Sequence, residues 1–202
     1  IDKLTPPTPD PEPTPGKPNA DVEVKGDAPT IKNDADTVKE IESSVKLTDE
    51  EKEAVKAGAD IKFNIVVKDE VKAGDKELID TKISSLVNNG VVGKVFDITI
   101  EKQVGSNAAV KAEFNSEITL KVQVPEELIN KDDSKTRTYK IIRVHDGEVT
   151  VIDKENCVFD EETGLITFKT DKFSTYAIVY EDAAKTVVTP VSYTHLTLPT
   201  IL

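Results

Sequence analysis

The sequence predicts a mainly β fold of the α+β kind, and three observations carry that expectation. The first is residues 164–182, GLITFKTDKFSTYAIVYED, the most strand-prone stretch of the chain. Within it Ser174, Tyr176, Ile178 and Tyr180 alternate with Thr175, Ala177 and Val179, and nearly every side chain is β-branched or aromatic. Such a strand wants cover on both faces and is expected to close the fold. The second is Asp146-Gly147, set between Tyr139-Lys140-Ile141-Ile142-Arg143-Val144-His145 and Glu148-Val149-Thr150-Val151-Ile152. Asp-Gly between alternating apolar runs is the strongest short-range hairpin signal. The third is the count of strand-like runs, about seven in about 120 residues, with helical spacing confined to the N-terminal third. Together they predict an Ig-like β-sandwich with two to three N-terminal helices packed on it.

Taken in order, residues 1–29 hold eight of the eleven prolines, interleaved with Thr, Asp and Glu. So few apolar groups cannot offset the entropy of ordering, so a disordered linker is expected. Polyproline II at about 3.1 Å per residue would make residues 5–18 a semi-rigid spacer of roughly 40 Å. From Asp34, Val38, Ile41 and Val45 recur at helical spacing, and Thr48-Asp49-Glu50-Glu51 matches a capping box with Gly58 as the stop. This second helix has few apolar groups and should lie on the surface. Ile61, Phe63, Ile65 and Val67 then alternate with polar residues as in a half-buried strand. Residues 75–88 return to helical spacing, with Leu78, Ile79, Lys82, Ile83, Leu86 and Val87 as a wide stripe expected to pack on the sheet.

Phe96, Ile98 and Ile100 mark a further strand, and Ile118, Leu120, Val122 and Val124 another that Pro125 ends. In a two-residue type I′ hairpin around Asp146-Gly147, His145 pairs with Glu148, Val144 with Val149 and Ile142 with Val151, which turns Ile142 and Val144 toward the core. A second hairpin joins Cys157-Val158-Phe159 to Leu165-Ile166-Thr167-Phe168, with Gly164 suited to a left-handed position. The expected module therefore spans residues 30–182, followed by a disordered tail over residues 183–202.

The chain has 202 residues, room for one medium domain with tails, and a core of about 150 residues would bury roughly 70% of its unfolded surface. A net charge of -12 opposes nucleic acid or an anionic membrane surface as partner. No apolar run approaches the roughly 18 to 20 residues that span a bilayer. The only cysteine, Cys157, can form no internal disulfide. The sequence contains no methionine, so a fragment or processed piece is expected. Residues 191–200, VSYTHLTLPT, resemble a translated sequencing-library adapter, and everything from about Pro190 onward is expected to be artefactual. On that reading Ser192 and His195 form no catalytic pair, and Leu198-Pro199-Thr200 is no sortase signal.

The blocks LTDEEKEAVKAGADIKFNIVVKD, VGKVFDITIEKQVG, SKTRTYKIIRVHDGEVTVID and FKTDKFSTYAIVYED resemble a β-rich module near the C-terminal ends of cell-surface and secreted proteins of Gram-positive, clostridial-type bacteria. RVHDGE and FSTYAIVY are its most specific parts. The resemblance implies an extracellular, non-catalytic accessory role beside other domains of a longer protein, and supplies no catalytic or ligand residues.

Candidate sites yield mostly bland readings. Two histidines and one cysteine cannot assemble a zinc cluster or a nucleophile set, so no catalytic, cofactor or metal residue is expected. His145 and Glu148 are read as a solvated cross-strand pair, and Cys157 as a small buried side chain. Acidic loops at Asp132-Asp133 and Asp160-Glu161-Glu162 could offer oxygens to calcium, yet neither has the spacing of a calcium loop. An intramolecular lysine crosslink would need a buried lysine. Lys62, Lys68 and Lys121 alternate away from the apolar face, whereas Lys140 shares parity with Ile142. Outside the adapter-like tail the tyrosines Tyr139, Tyr176 and Tyr180 sit where core or sheet packing is expected. The functional expectation is a non-catalytic extracellular structural or adhesion-supporting module of a bacterial cell-surface protein, in the cell wall, with neighbouring domains and a cell-wall or host glycan or protein as partners. The alternatives are a carbohydrate- or protein-binding module, or an accessory domain of a secreted hydrolase.

Overall fold

In the computed structural model, which describes residues 14–152 and 155–185, the chain is mainly β, with one sheet of seven strands and a second of three. The main sheet contains β1 (Pro18–Lys25), β2 (Ile61–Lys68), β3 (Val91–Val104), the short β4 (Val110–Lys111), β6 (Lys135–His145), β7 (Glu148–Ile152) and β10 (Thr175–Ala184). Its order is β1-β2-β3-β10-β6-β7, with β4 beside the lower part of β3. The small sheet is β5 (Ile118–Gln123), β9 (Leu165–Thr170) and β8 (Cys157–Asp160), in that order across it. Three helices complete the described residues: α1 (Ala35–Ser44), α2 (Asp49–Lys56) and α3 (Ala73–Leu86).

The most strand-prone stretch divides between the sheets: its first run is β9, central in the small sheet, and its second is β10, at the centre of the main sheet between β3 and β6. The need of β10 for cover on both faces is met by two separate cores. Tyr176 and Ile178 enter a large cluster with Phe63, Phe96, Ile98 and Phe168, between the main sheet and the small one. Ala177 and Val179 enter a second with Ile142, Val144, Ile79 and Val87, under α3. The expected pairs at the Asp146-Gly147 hairpin are all present, and both turn residues have positive φ (50° and 77°), as a type I′ turn requires.

Each helix has a local cause. Asp34 caps α1 by accepting from the Thr37 amide, and Thr48 and Glu51 form the full capping box of α2, which buries no residue. α3 departs from expectation, because its stripe is narrower. Ile79 and Val87 are buried, Leu78 and Ile83 only half-buried, and Leu86 is exposed. The helix covers four buried strand side chains with Val92, Val95, Val149 and Val151 half-buried around them, and Leu86 lies outside that cluster.

The linker over residues 1–29 also needs correction, since Pro18–Lys25 is β1, parallel to β2 along its whole length. Ala20 and Val22 pack against the large cluster while Asp21 and Glu23 stay exposed. A strand starting at proline is allowed at a sheet edge, where no neighbour lies beyond it. The part of the expected linker before residue 14, the tail beyond residue 185 and the adapter-like segment with Ser192 and His195 lie outside the described residues. No helix among the described residues is long and apolar enough to cross a membrane.

Two lysines tie helices to the sheets. Lys121 of β5, expected in solvent, has its ammonium 2.7 Å from the Asp34 carboxylate. That hydrogen bond, with the Thr37 amide, holds the Asp34 carboxyl far below the usual carboxylate range and raises Lys121. Lys102 sits on the inward face of β3 and donates to the Lys46 carbonyl at 2.7 Å and to the Glu51 carboxylate. A group whose folded pKa is lowered contributes stability that is whole above its unfolded value and fades as pH falls below it. Asp34→Asn, which can still cap α1, should therefore cost about 0.5 to 1 kcal/mol at neutral pH. In urea unfolding the gap from the parent chain should narrow as pH drops below the unfolded carboxyl value of 3.8, and a gap constant down to pH about 2 would contradict this assignment.

Candidate functional site

A groove of about 590 Å³ lies at the edge where β6 and β7 of the main sheet approach β8 of the small one. β7 runs beside β6 only from His145 back to Ile141, so the earlier half of β6 borders the groove instead. Its apolar wall is Tyr139, Val151, Ile152, Val158 and Phe159, and the Tyr139 and Phe159 rings meet at 4.4 Å between centroids. Val158 is 58% exposed and gives the rim an apolar face.

Most of the charged groups at the groove are already engaged, while Thr136 and Glu161 on its rim are exposed. Arg137 forms a two-pronged bond to Asp182, with Nε and Nη2 each 2.7 Å from a carboxylate oxygen. Its third contact, from Nη1 to the Leu128 carbonyl, is 2.8 Å long, and its guanidinium lies 3.8 Å over the Tyr180 ring. The Tyr139 hydroxyl donates to the same Leu128 carbonyl at 2.7 Å. Arg137 holds the Asp182 carboxyl below its ordinary value, the carboxylate raises Arg137, and burial pushes the Tyr139 phenol up. On the opposite face Lys140 pairs with Glu181 at 2.5 Å. A guanidinium so committed offers little to an incoming anion, and the phenol is fixed as a donor to backbone. The arrangement suits contact with an amphipathic surface.

The other candidates are scattered across the fold. His145 and Glu148 are register partners at the hairpin tip, but the nearest carboxylate to His145 Nε2 is Asp146, at 3.4 Å. Its Nδ1 is buried without a hydrogen-bond partner among the described residues. Asp132 accepts from the Ser134 amide and hydroxyl, and Asp160 from the Glu162 amide and the Thr163 hydroxyl. These bonds brace turns and hold both carboxyls below their ordinary values. No group of three or more potential ligands among the described residues could hold a metal ion. Cys157 is buried at the start of β8.

Among the lysines considered, Lys62 is exposed and Lys121 and Lys140 are paired with acids. Lys140, which shares parity with Ile142, keeps more than a third of its side chain in solvent. The buried lysine is Lys102, which sequence reasoning missed although its parity with Phe96, Ile98 and Ile100 marks it as inward. Tyr176 is fully buried, with its hydroxyl 2.9 Å from that of Thr170 and donating to the Lys172 carbonyl, and desolvation drives its phenol well up. Of the three tyrosines only Tyr180 keeps part of its ring in solvent, and Arg137 covers that ring.

The Arg137–Asp182 pair should behave as a structural latch for this edge. Arg137→Leu is expected to cost about 2 to 3 kcal/mol in denaturant unfolding, much of it from Asp182 left without its partner. The double variant with Asp182→Leu should recover part of that loss. Additive single effects would mean that the two side chains do not stabilise each other.

No protein family matches the chain, and neither a curated protein nor a solved structure matches it.

Proposed function

We propose that the chain is a non-catalytic, extracellular structural or adhesion-supporting module of a bacterial cell-surface protein, an Ig-like β-sandwich in the broad sense of two facing sheets. The observation that carries this reading is the use made of the chemically capable side chains. Arg137, Lys102, Lys121, Tyr139, Tyr176, Asp132 and Asp160 all bond to neighbouring structure. Side chains so engaged add rigidity, and among the described residues these groups are committed to structure. The resemblance of the RVHDGE and FSTYAIVY blocks points the same way. A net charge of -12 favours solubility and disfavours polyanions. The partners on this reading are neighbouring domains of the full-length protein, with a cell-wall or host glycan or protein beyond them.

The groove beside Phe159 favours a second reading, as a carbohydrate- or protein-binding module, because it is large enough for a small ligand and has an apolar wall. The third reading, an accessory domain of a secreted hydrolase, would place the same module beside a catalytic domain.

Antibody raised against the purified chain should label intact, unpermeabilised cells of the source bacterium and partition with the wall fraction. Labelling that appears only after lysis would overturn the extracellular reading. A glycan array hit abolished by Phe159→Ala, in a variant that keeps its unfolding midpoint, would move the reading to the binding module.

A further inference from the structure

The strand directions of the main sheet determine how the fold would respond to being pulled. β1 is parallel to β2, β2 antiparallel to β3, and β3 antiparallel to β10, so β1 and β10 point the same way. Their levels are offset. Lys25, the last residue of β1, lies beside Lys68, which faces Asp97, which faces Thr175, the first residue of β10. β10 therefore begins at the level where β1 ends and runs on to Ala184 beside Lys135. The chain enters at one end of the sheet and leaves at the other, about 50 Å away along the strands at about 3.3 Å per residue.

Tension between Pro18 and Ala184 thus acts along the strand axes. Ladder bonds between strands run across that axis, evenly spaced and slanted in the parallel β1–β2 pair, so a load along the strands is shared among them. A strand peeled from its end breaks them singly. β10 is paired on both sides, with β3 and with β6, whereas β1 is an edge strand paired with β2 alone, over eight residue pairs from Pro18↔Ile61 to Lys25↔Lys68, with the Asn33 side-chain amide donating to its Ala20 carbonyl. Further bonds extend this ladder at its loaded end. The Ile61 amide donates to the Lys17 carbonyl at 3.4 Å, the Lys17 amide to Asp60 Oδ1 at 2.9 Å, and the Gly16 amide to the Val55 carbonyl at 3.1 Å. Side chains resist sliding as well. Ala20 and Val22 pack against the large core, and a slip of one residue would turn both to solvent and bring Asp21 and Glu23 inward.

We propose that the chain is a tension-bearing element in which β1 and β2 form a shear clamp, the ladder that must rupture before the sheet can be extended by force. The clamp deepens the spacer reading above, on which its biological setting rests. A module between a surface and whatever lies beyond it transmits load through its two flanks. Resistance to force is governed by the unfolding rate, so a ladder that fails all at once protects the fold better than its equilibrium stability alone would indicate.

The test is single-molecule pulling of the full chain with two tether geometries. Handles on Lys17→Cys and Lys185→Cys load β1 in shear, whereas handles on Lys17→Cys and Lys62→Cys open the same ladder from one end. At equal loading rate the rupture force should be severalfold higher in the first geometry, and one cooperative event should release a contour length of roughly 500 Å. Asp21→Pro, at an exposed position whose neighbours' bonding pattern turns its amide toward β2, should lower the shear force while the chain stays folded by circular dichroism. Equal forces in the two geometries, or a first event that frees β10 while β1 stays held, would overturn the clamp. Because the measurement reads the purified chain, it can fail while surface labelling succeeds, and the two readings fall separately.

Discussion

The burial of β10 on both faces is the constraint on which the rest of the structure depends. Thr175, Tyr176, Ala177, Ile178 and Val179 are consecutive and all buried. Alternation sends the odd members to one side of the sheet and the even members to the other. A two-layer sandwich would leave one set in water, at about 25 cal/mol for each Å² of apolar surface left uncovered. The chain therefore needs three layers at this strand: the small sheet against Tyr176 and Ile178, and α3 against Ala177 and Val179. The residues on the α3 side are small, which lets one short helix approach closely enough to cover them. On the other side Tyr176 stacks with Phe96 and lies tilted against Phe168, filling the wider gap between sheets.

The helices share a device for attachment. Each uses a carboxylate at its cap or first turn to reach a sheet residue: Asp34 of the α1 cap to Lys121, Glu51 of α2 to Lys102, and Asp75 of α3 to the Thr175 hydroxyl at 2.7 Å. Negative charge is favoured at helix N-termini, so the same group serves the helix and the docking contact. Neither α2 nor α3 has enough buried apolar surface to fix its position by packing alone, and directional bonds supply what the narrow stripes lack. The arrangement also explains why a buried lysine is tolerated. Lys102 meets a carboxylate and a carbonyl, so its charge is paired where it is desolvated.

Much of the local structure was legible in the residues, because the signals that set it are short in range. Asp146-Gly147 demands positive φ at two successive positions, and only one tight turn then continues into paired strands. Thr48 and Glu51 can satisfy each other's amides only as a helix start. What escaped reading was masked by composition or lay in parity. β1 sits among prolines, and its Ala20-Asp21-Val22-Glu23 alternation is too weak to order a strand until β2 supplies a partner. Lys102 continues the inward parity of β3 but carries a charge, and polarity argues against burial unless a distant Glu51 is known to be near. The groove at β6 is invisible in sequence for the same reason, since Arg137 meets Asp182 only across the main sheet, and Phe159 reaches Tyr139 from the small one.

By itself the sequence determined most of the elements, β1 excepted: alternation at period two, caps and turn residues act within a few positions of each other, and their energetics do not wait for the rest of the chain. Tertiary structure alone decided which strand stands beside which, that the hairpin β8–β9 joins β5 in a separate sheet, and that β1 and β10 run the same way with their outer ends far apart. Pairing between distant strands depends on side chains that become neighbours only after the chain has closed long loops. No pattern read along the backbone contains that information, because many pairings bury the same residues and differ only in how completely both faces are filled.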